Sequence, residues 1–193
     1  MFMGSRGGMS INLMVNLRDG DHHSGNFGGL LADPAIILAQ AIATITDARG
    51  QIRIPEWRPT SLTPDIRATL SDLPPRRHDA EWGESDLTPS ERVFGWNSFA
   101  VLAMSSGNID APQNAISGSA RATCQLRFVV GTDMDDIIPA LRRHLDAHGF
   151  PMVEVRAARG EAFRATRFSP DHPWVRFVEN SLTRSAGKPP HVL

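Results

Sequence analysis

The densest group of side chains that could do chemistry lies in a glycine-flanked loop near the start of the chain. Asp19, Asp21, His22 and His23 fall within five residues of one another. Carboxylates and imidazoles can ligate a metal ion, although no second cluster at zinc-ligand spacing could complete a shell. The glycines would also let a substrate approach the backbone closely, which suits a functional histidine. Metal ligands, a functional histidine and a solvated turn are therefore three open interpretations.

Arg127 is the second candidate, because it lies on the polar face of a predicted strand together with Arg121. A planar guanidinium group on a rigid strand can bind a carboxylate through two parallel hydrogen bonds. Asn114, thirteen residues earlier in the loop that enters this strand, could donate its amide to the same anion. The alternative for Arg127 is a solvated surface charge.

The remaining candidates favour structural roles. His144 and His148 are four residues apart, but they fall in the last turn of a predicted helix before Gly149, where imidazolium favours the negative helix end. Cys124 lies on the apolar face of a predicted strand, which indicates an inert core thiol. As the single cysteine, it also excludes an internal disulfide and a cysteine-rich zinc site.

Composition excludes several classes of partner. Twenty Lys and Arg stand against 21 Asp and Glu, without blocks of like charge, so we expect no nucleic-acid or anionic-lipid partner. The longest purely apolar stretch, residues 99–104, is far shorter than the ~20 residues that span a membrane. The first residues, MFMGSRGG, lack the apolar segment of a secretory signal. We therefore expect a soluble, cytoplasmic protein.

Two periodicities predict the elements that position these residues. Alternation of apolar and polar residues predicts half-buried strands over residues 10–17, 120–130 and 151–157, and an apolar run predicts a further strand over residues 98–105. Apolar stripes at helical spacing predict one helix over residues 34–47, capped by Asp33, and another capped by Thr132 with Asp135 and ending at Gly149.

The order of elements, β-α-(insertion)-β-β-α-β, predicts an α+β fold: a ferredoxin-like sandwich with a four-stranded antiparallel sheet and two helices on one face. Right-handed crossovers give the strand order 4-1-3-2 and leave residues 99–104 at a sheet edge. We assign residues 1–160 to one domain, which contains the insertion 51–97. Residues 161–193 form a separate tail with one amphipathic helix.

The insertion differs from its surroundings in composition. It holds six prolines and three of the four tryptophans. Thr63-Pro64 and Thr88-Pro89-Ser90-Glu91 are typical helix starts, and the second has the form of a capping box. Its aromatic side chains supply apolar surface that a disordered linker would lack, so we expect an ordered insertion.

Three segments together resemble a known family. They are SRGGMSINLMVNLRDGDHHSGNFGG, NAISGSARATCQLRF and TDMDDIIPALRRHL. They resemble the lid, or dimerisation, domain of the dinuclear-zinc aminoacylase/carboxypeptidase peptidase family, which includes acetylornithine deacetylase, succinyl-diaminopimelate desuccinylase, glutamate carboxypeptidase and carnosinase-type dipeptidases. The string D-x-H-S-G-x-x-G-G and the NAI segment with an arginine thirteen residues later carry most of the resemblance.

The resemblance implies roles for individual residues. His23 matches a lid histidine that crosses the dimer and stabilises the oxyanion of the scissile carbonyl in the partner's site. Asn114 and Arg127 match a pair that binds the substrate's carboxylate, and Gly28 and Gly29 belong to the substrate-binding loop. Ser117 departs from the family, which commonly has proline after NAI.

The resemblance also implies a larger enzyme. It implies zinc for the full-length protein, whereas the family's ligand set is missing from these 193 residues, so we predict no metal site in this chain and no activity of the chain alone. Residues 161–193 resemble a return toward a catalytic domain. The predicted partners are that domain, a small carboxylate-bearing substrate and a second copy of the chain, bound through strand 99–104 and helix 34–47.

The leading hypothesis is thus a dimerisation and substrate-binding lid of a zinc-dependent hydrolase that cleaves amide or peptide bonds. The alternative is a free-standing ferredoxin-like ligand-binding or regulatory module without catalysis. A purely structural oligomerisation unit is a third hypothesis, and it would leave His23, Asn114 and Arg127 unexplained.

Overall fold

The computed structural model describes residues 1–74, 77–158, 160 and 162–192. Within these residues the strands are β1 (Gly4–Ser5), β2 (Gly7–Asn16), β3 (His22–His23), β4 (Ser98–Ser106), β5 (Ala115–Ile116), β6 (Ser119–Phe128), β7 (Glu154–Ala157) and β8 (Thr166–Arg167). The α-helices are α1 (Ser24–Phe27), α2 (Pro34–Ile45), α3 (Pro64–Ser71), α4 (Pro89–Phe94), α5 (Ile137–Ala147) and α6 (Pro173–Ala186).

A four-stranded antiparallel sheet organises the molecule. Its strand order is β4-β6-β2-β7. The predicted order 4-1-3-2 counts only the four predicted strands, and it is the same order listed from the β7 edge. The α+β class is confirmed. β2 begins at Gly7, earlier than predicted, because glycine there accommodates a core ring: a Cβ on Gly7 would lie 2.3 Å from the ring of Phe128. Gly7 and Gly8 have no side chains that could alternate between apolar and polar, so the sequence pattern did not predict this end of the strand.

Helices α2 and α5 pack on one face of the sheet and share its core. Asp33 caps α2 as predicted, since its carboxylate accepts from the N–H groups of Ala35 and Ile36. The predicted cap of α5 is wrong. That helix begins after Asp136, which makes no side-chain cap, and the hydroxyl of Thr132 instead accepts a hydrogen bond from Asn97.

The insertion is ordered and contributes to this core. Trp57 is fully buried, and its Nε1 donates to the carbonyl of Ile137 at 3.1 Å. Asn97 ties the end of the insertion to the sheet, because its amide donates to the Trp57 carbonyl at 2.7 Å and accepts from Val129 N at 2.8 Å. Helices α3 and α4 begin at the predicted prolines, and the capping box of Thr88 and Glu91 is formed.

Strand β4 lies at the sheet edge, as predicted. A bulge between Val101 and Ala103 leaves Leu102 without a register partner on β6, and Leu102 is 56% exposed. Helix α2 contacts β4 as well as β2 and β6. Ala41 and Ile45 are buried in the core, whereas Ile36 on the same helix is 62% exposed.

The tail returns to the start of the chain. β8 pairs with β1, and Phe163 exchanges two backbone hydrogen bonds with Gly8. The N-cap of α6 is His172, because its Nδ1 accepts a hydrogen bond from Trp174 N. Trp174 and Phe177, two aromatic residues of α6, are exposed. In the part of the chain that the structure describes, none of the helices has the length and apolarity to cross a membrane.

Candidate functional site

The histidine loop, residues 19–29, is brought next to Asn114 by backbone pairing. β3 pairs with β5, which places His23 opposite Ala115. The N–H of Ser24 also donates to the carbonyl of Asn114 at 2.8 Å. Two candidates that are far apart in the sequence therefore share one end of the sheet.

The geometry of His23 fixes its proton. Its side chain is exposed, and its Nδ1 accepts a hydrogen bond from the N–H of Gly25 at 3.1 Å. A neutral imidazole that accepts at Nδ1 carries its proton at Nε2. Among the described residues this Nε2 has no hydrogen-bond partner. A neutral His23 can therefore donate a hydrogen bond from Nε2 to an external oxygen.

Close backbone packing around Gly118 holds the histidine loop in place. The N–H of Gly118 donates to the carboxylate of Asp21 at 3.2 Å, so Asp21 anchors the loop. A Cβ on Gly118 would lie 2.3 Å from the carbonyl oxygen of Arg18 and 2.6 Å from that of Gly20. Only glycine permits this approach.

The side chains of His22 and His23 do not contact the same group. Side chains alternate along a strand, and the ring of His22 instead packs edge-on against Phe27 with centroids 5.3 Å apart. The described residues include no group of three His, Cys, Asp or Glu side chains placed to hold a metal ion. These residues therefore do not fit the metal interpretation of the loop, or a zinc site elsewhere in them.

Gly28 and Gly29 follow α1 at the end of the loop. The N–H of Gly28 donates to the Ser24 carbonyl at 2.8 Å, and Gly29 has a φ of +80°, which favours glycine. Both residues are exposed. Their role in substrate binding stays a prediction.

Arg127 lies at the other end of the sheet. It is opposite Gly8 on β2 and Ser98 on β4, whereas the first residue of β6, Ser119, lies beside the histidine loop. Eight residue steps along β6 at ~3.3 Å each separate the two ends by about 26 Å. The structure does not bring Asn114 and Arg127 of one chain together.

The sequence analysis did not select Arg6, which lies beside Arg127. Its Nη2 donates to the Ser98 hydroxyl at 2.7 Å and to the Arg127 carbonyl at 3.1 Å. Burial, with the nearby charge of Arg127, lowers the pKa of Arg6 to about 10. The available signal was an arginine directly before two glycines, Gly7 and Gly8.

The other candidates are structural. His148 ends α5, and its ring lies 4.0 Å from that of His144, whose Nε2 donates to the Thr44 carbonyl at 2.9 Å. Cys124 is fully buried, and burial raises its thiol pKa to about 12. A thiol with that pKa is not a nucleophile at neutral pH.

The fold is shared with solved metallopeptidases. An M20 family metallo-carboxypeptidase, Sso-CP2 from Sulfolobus solfataricus, matches with a TM-score of 0.79 and 22% identity, over 99% of this chain and 45% of that one. Human carnosine dipeptidase 1 matches with a TM-score of 0.75 and 16% identity, over 100% of this chain and 44% of that one. The chain thus spans less than half the length of these relatives.

Sequence comparison leads to the same group. The mouse (Mus musculus) Beta-Ala-His dipeptidase is 40% identical over 52 residues, which are 27% of this chain and 11% of that protein. The family model described as the peptidase dimerisation domain matches residues 3–153, most of the chain. The chain therefore belongs to the peptidase dimerisation domain family of the M20 metallopeptidases.

Proposed function

We propose that this chain is the dimerisation and substrate-binding lid of a zinc-dependent hydrolase that cleaves amide or peptide bonds in small carboxylate-bearing substrates. The names of its relatives, a metallo-carboxypeptidase and a Beta-Ala-His dipeptidase, support this class of reaction. The zinc ions would lie in a catalytic domain of a longer chain, because the described residues do not fit them.

His23 stabilises the developing oxyanion in this proposal. Its Nε2 carries a proton and has no partner in the described part of the chain, while Nδ1 is held by Gly25. A neutral donor fixed before the reaction stabilises the charge that forms on a scissile carbonyl oxygen, which lowers the barrier without a proton transfer. Asn114, tied to the same loop through Ser24, lies where its amide can bind the same substrate.

The observation that carries the proposal is the separation between the two ends of β6. A gap of about 26 Å exceeds the length of a dipeptide, which spans ~7 Å at ~3.5 Å per residue. His23 and Arg127 of one chain therefore cannot bind one substrate together. If both bind it, they come from different subunits.

A twofold dimer through β4 would bring the required residues together. Antiparallel pairing of β4 with its copy reverses the partner's sheet, so the partner's arginine end lies alongside this chain's histidine loop. The two β6 strands would then be three strand spacings, ~14 Å, apart. The exposed residues Val101 and Leu102, together with Ile36 on α2, provide apolar surface for this contact.

Mixed dimers of the longer enzyme test the arrangement. One subunit carries His23→Ala and the other Arg127→Ala, each with a different affinity tag so that the mixed dimer can be purified. With His23 acting across the dimer and Arg127 within its own subunit, one of the two sites is intact, and kcat/KM recovers to about half of wild type. Both parent homodimers stay impaired.

A second mixed dimer is the matched control. His23→Ala paired with Asn114→Ala leaves one defect in each site, because both residues belong to the same loop region, so no recovery is expected. Absence of recovery in the His23 and Arg127 mixed dimer, with tags and fold intact, would contradict the proposal.

A further inference from the structure

A cleft of about 210 Å³ lies where the insertion meets the first residues of β4. Its walls include the indole rings of Trp82 and Trp96 and the ring of Phe99. An engineered protein cavity of ~150 Å³ holds benzene, so this insertion cleft has room for one ring with a polar substituent. Aromatic walls with a few polar groups are typical of small-molecule sites.

Trp82 is held in place although it is exposed. Its indole lies against the backbone of Gly50, because a Cβ there would be 2.6 Å from the ring. Its carbonyl accepts a hydrogen bond from Arg92 Nη1, and its backbone N–H donates to the Asp79 carbonyl at 3.1 Å. Yet Trp82 is 58% exposed, and its Nε1 has no hydrogen-bond partner in the part of the chain that the structure describes. A fixed, exposed indole is suited to stacking against a planar ligand, because little entropy is lost on binding.

The second indole, Trp96, is fixed by a buried carboxylate. Trp96 Nε1 donates to Glu84 Oε1 at 3.1 Å, and the same oxygen accepts from Ile52 N at 3.3 Å. Glu84 Oε2 lies 3.7 Å from Arg58 Nη2, and the Arg58 guanidinium lies 5.8 Å from the centroid of the Trp96 ring. Among the described residues that line the cleft, Glu84 is the acidic one, and its charge is already paired.

The charge that remains in the insertion cleft is positive. Arg92 and Arg6 both line it, and neither forms an ion pair with a described carboxylate. Arg92 donates from Nε to the Leu87 carbonyl and from Nη1 to the Trp82 carbonyl, which leaves Nη2 without a partner among the described residues. A free N–H on a guanidinium that is already held in place favours an anionic oxygen as its acceptor.

We infer that the insertion cleft is a binding site for a small aromatic carboxylate. The ring of the ligand stacks on Trp82, and its carboxylate accepts a hydrogen bond from Arg92 Nη2, while Arg6 adds a second positive charge to the same cleft. The inference goes beyond the proposed function, because it assigns a ligand to the insertion. It depends neither on dimerisation nor on His23.

Titration of the 193-residue chain with benzoate tests the site directly. Benzamide is the uncharged control and acetate the control without a ring, and nuclear magnetic resonance follows the indole Nε1–H groups. We expect saturable shifts at Trp82 and Trp96 with millimolar benzoate, at an affinity about tenfold or more above that of either control. The resonances of Trp57, which is buried, and Trp174, which is on α6, should not move. Equal affinity for benzoate and either control, or no shift at Trp82, would overturn the inference.

Trp82→Ala tests the aromatic wall, with the Trp96 resonance as the readout. It should weaken benzoate binding by about tenfold or more, whereas Trp82→Phe should keep part of the affinity. Because the Trp82 side chain is largely exposed, the melting temperature should stay close to that of wild type. Trp174→Ala removes another exposed tryptophan and is the matched control. Benzoate binding by Trp82→Ala as tight as in wild type would refute the stacking role.

Arg92→Gln tests the charge. It should abolish the preference for benzoate over benzamide, and Arg92→Lys should restore part of that preference. Arg184→Gln, at an exposed arginine of α6, is the control. A preference that persists in Arg92→Gln would contradict the assignment of a carboxylate. If Arg92→Gln lowers the melting temperature through the lost bonds to Leu87 and Trp82, the Trp82→Ala titration decides the site instead.

Discussion

The histidine loop and the arginine pair, Arg6 with Arg127, lie at opposite ends of β6 and are held by different means. Backbone hydrogen bonds of β3 and β5, two residues each, hold His23, and its side chain is exposed. Side-chain contacts hold Arg127, through Gln125 and Phe163. The His23 side chain is therefore exposed to solvent, whereas the Arg127 side chain is packed between its neighbours.

This difference indicates how each end can work. The exposed His23 side chain accepts its hydrogen bond from Gly25 in its own loop, so it can enter another subunit's site without breaking that contact. Short ladders at a loop tip also open at low cost, which favours a movable lid. A packed guanidinium loses little entropy when it binds, so it can act in place.

Leu102→Lys should have the largest effect. A lysine at this exposed position on the edge strand opposes pairing with a second copy, so the dimer should become a monomer of 21.1 kDa by light scattering. In the longer enzyme, kcat should fall by at least ~10²-fold, because the site loses its His23. Leu182→Lys on α6 is the control, and a fully active dimeric Leu102→Lys would disprove the edge interface.

His23→Ala should lower kcat by ~10²–10³-fold, as expected for the loss of one oxyanion donor. Zinc content and melting temperature should not change, since the side chain is exposed and Gly25 is its one hydrogen-bond partner among the described residues. Asn26→Ala in the same loop is the matched control. A kcat close to wild type would return His23 to the interpretation of a solvated turn.

Arg127→Ala should mainly raise KM, by ~10-fold or more, with a small change in kcat, because a carboxylate far from the reacting bond is bound equally in ground and transition states. Arg121 lies on the same strand, and its side chain donates to Ser105 and to no other described residue, so Arg121→Ala serves as the control. Initial rates across substrate concentrations give both constants. An unchanged KM for a carboxylate substrate would indicate a solvated charge.

Gly118→Ala should disturb the histidine loop and leave the arginine pair intact. The added Cβ would meet carbonyl oxygens of Arg18 and Gly20, which are backbone atoms that have to move. A displacement of this kind should lower kcat by about tenfold and also lower the melting temperature, with KM nearly constant. Ser117→Ala is the neighbouring control. A large rise in KM would show that the two ends are coupled.

His144 probes the core that both ends share, and its effect should be the smallest. Burial lowers the pKa of His144 below 6.5, partly offset by the Thr44 carbonyl, so folding favours its neutral form. Its contribution to stability is therefore complete above about pH 6.5 and is lost as the pH falls below that value. Between about pH 8 and pH 5, the melting temperature of His144→Gln should fall less than that of wild type. An unchanged pH dependence in His144→Gln would contradict this assignment.

Local geometry explains what the sequence predicts well. Alternation in β2 and β6 and the stripe of α2 reflect the repeats of strand and helix, which depend on neighbouring residues alone. The caps at Asp33 and Thr88 satisfy N–H groups within three residues. Even the strand order follows from a general rule, the right-handedness of crossovers.

The sequence by itself therefore determined the four strands of the main sheet, the main helices, the class of fold and most of the candidate residues. Tertiary structure decided which candidates meet. His23 lies beside Asn114 because distant backbone groups pair, and no local period encodes that contact. Asn114 is far from Arg127 because β6 is extended between them. Arg6 became a candidate only when burial showed its unpaired charge, since the energy of a charge depends on the atoms that surround it.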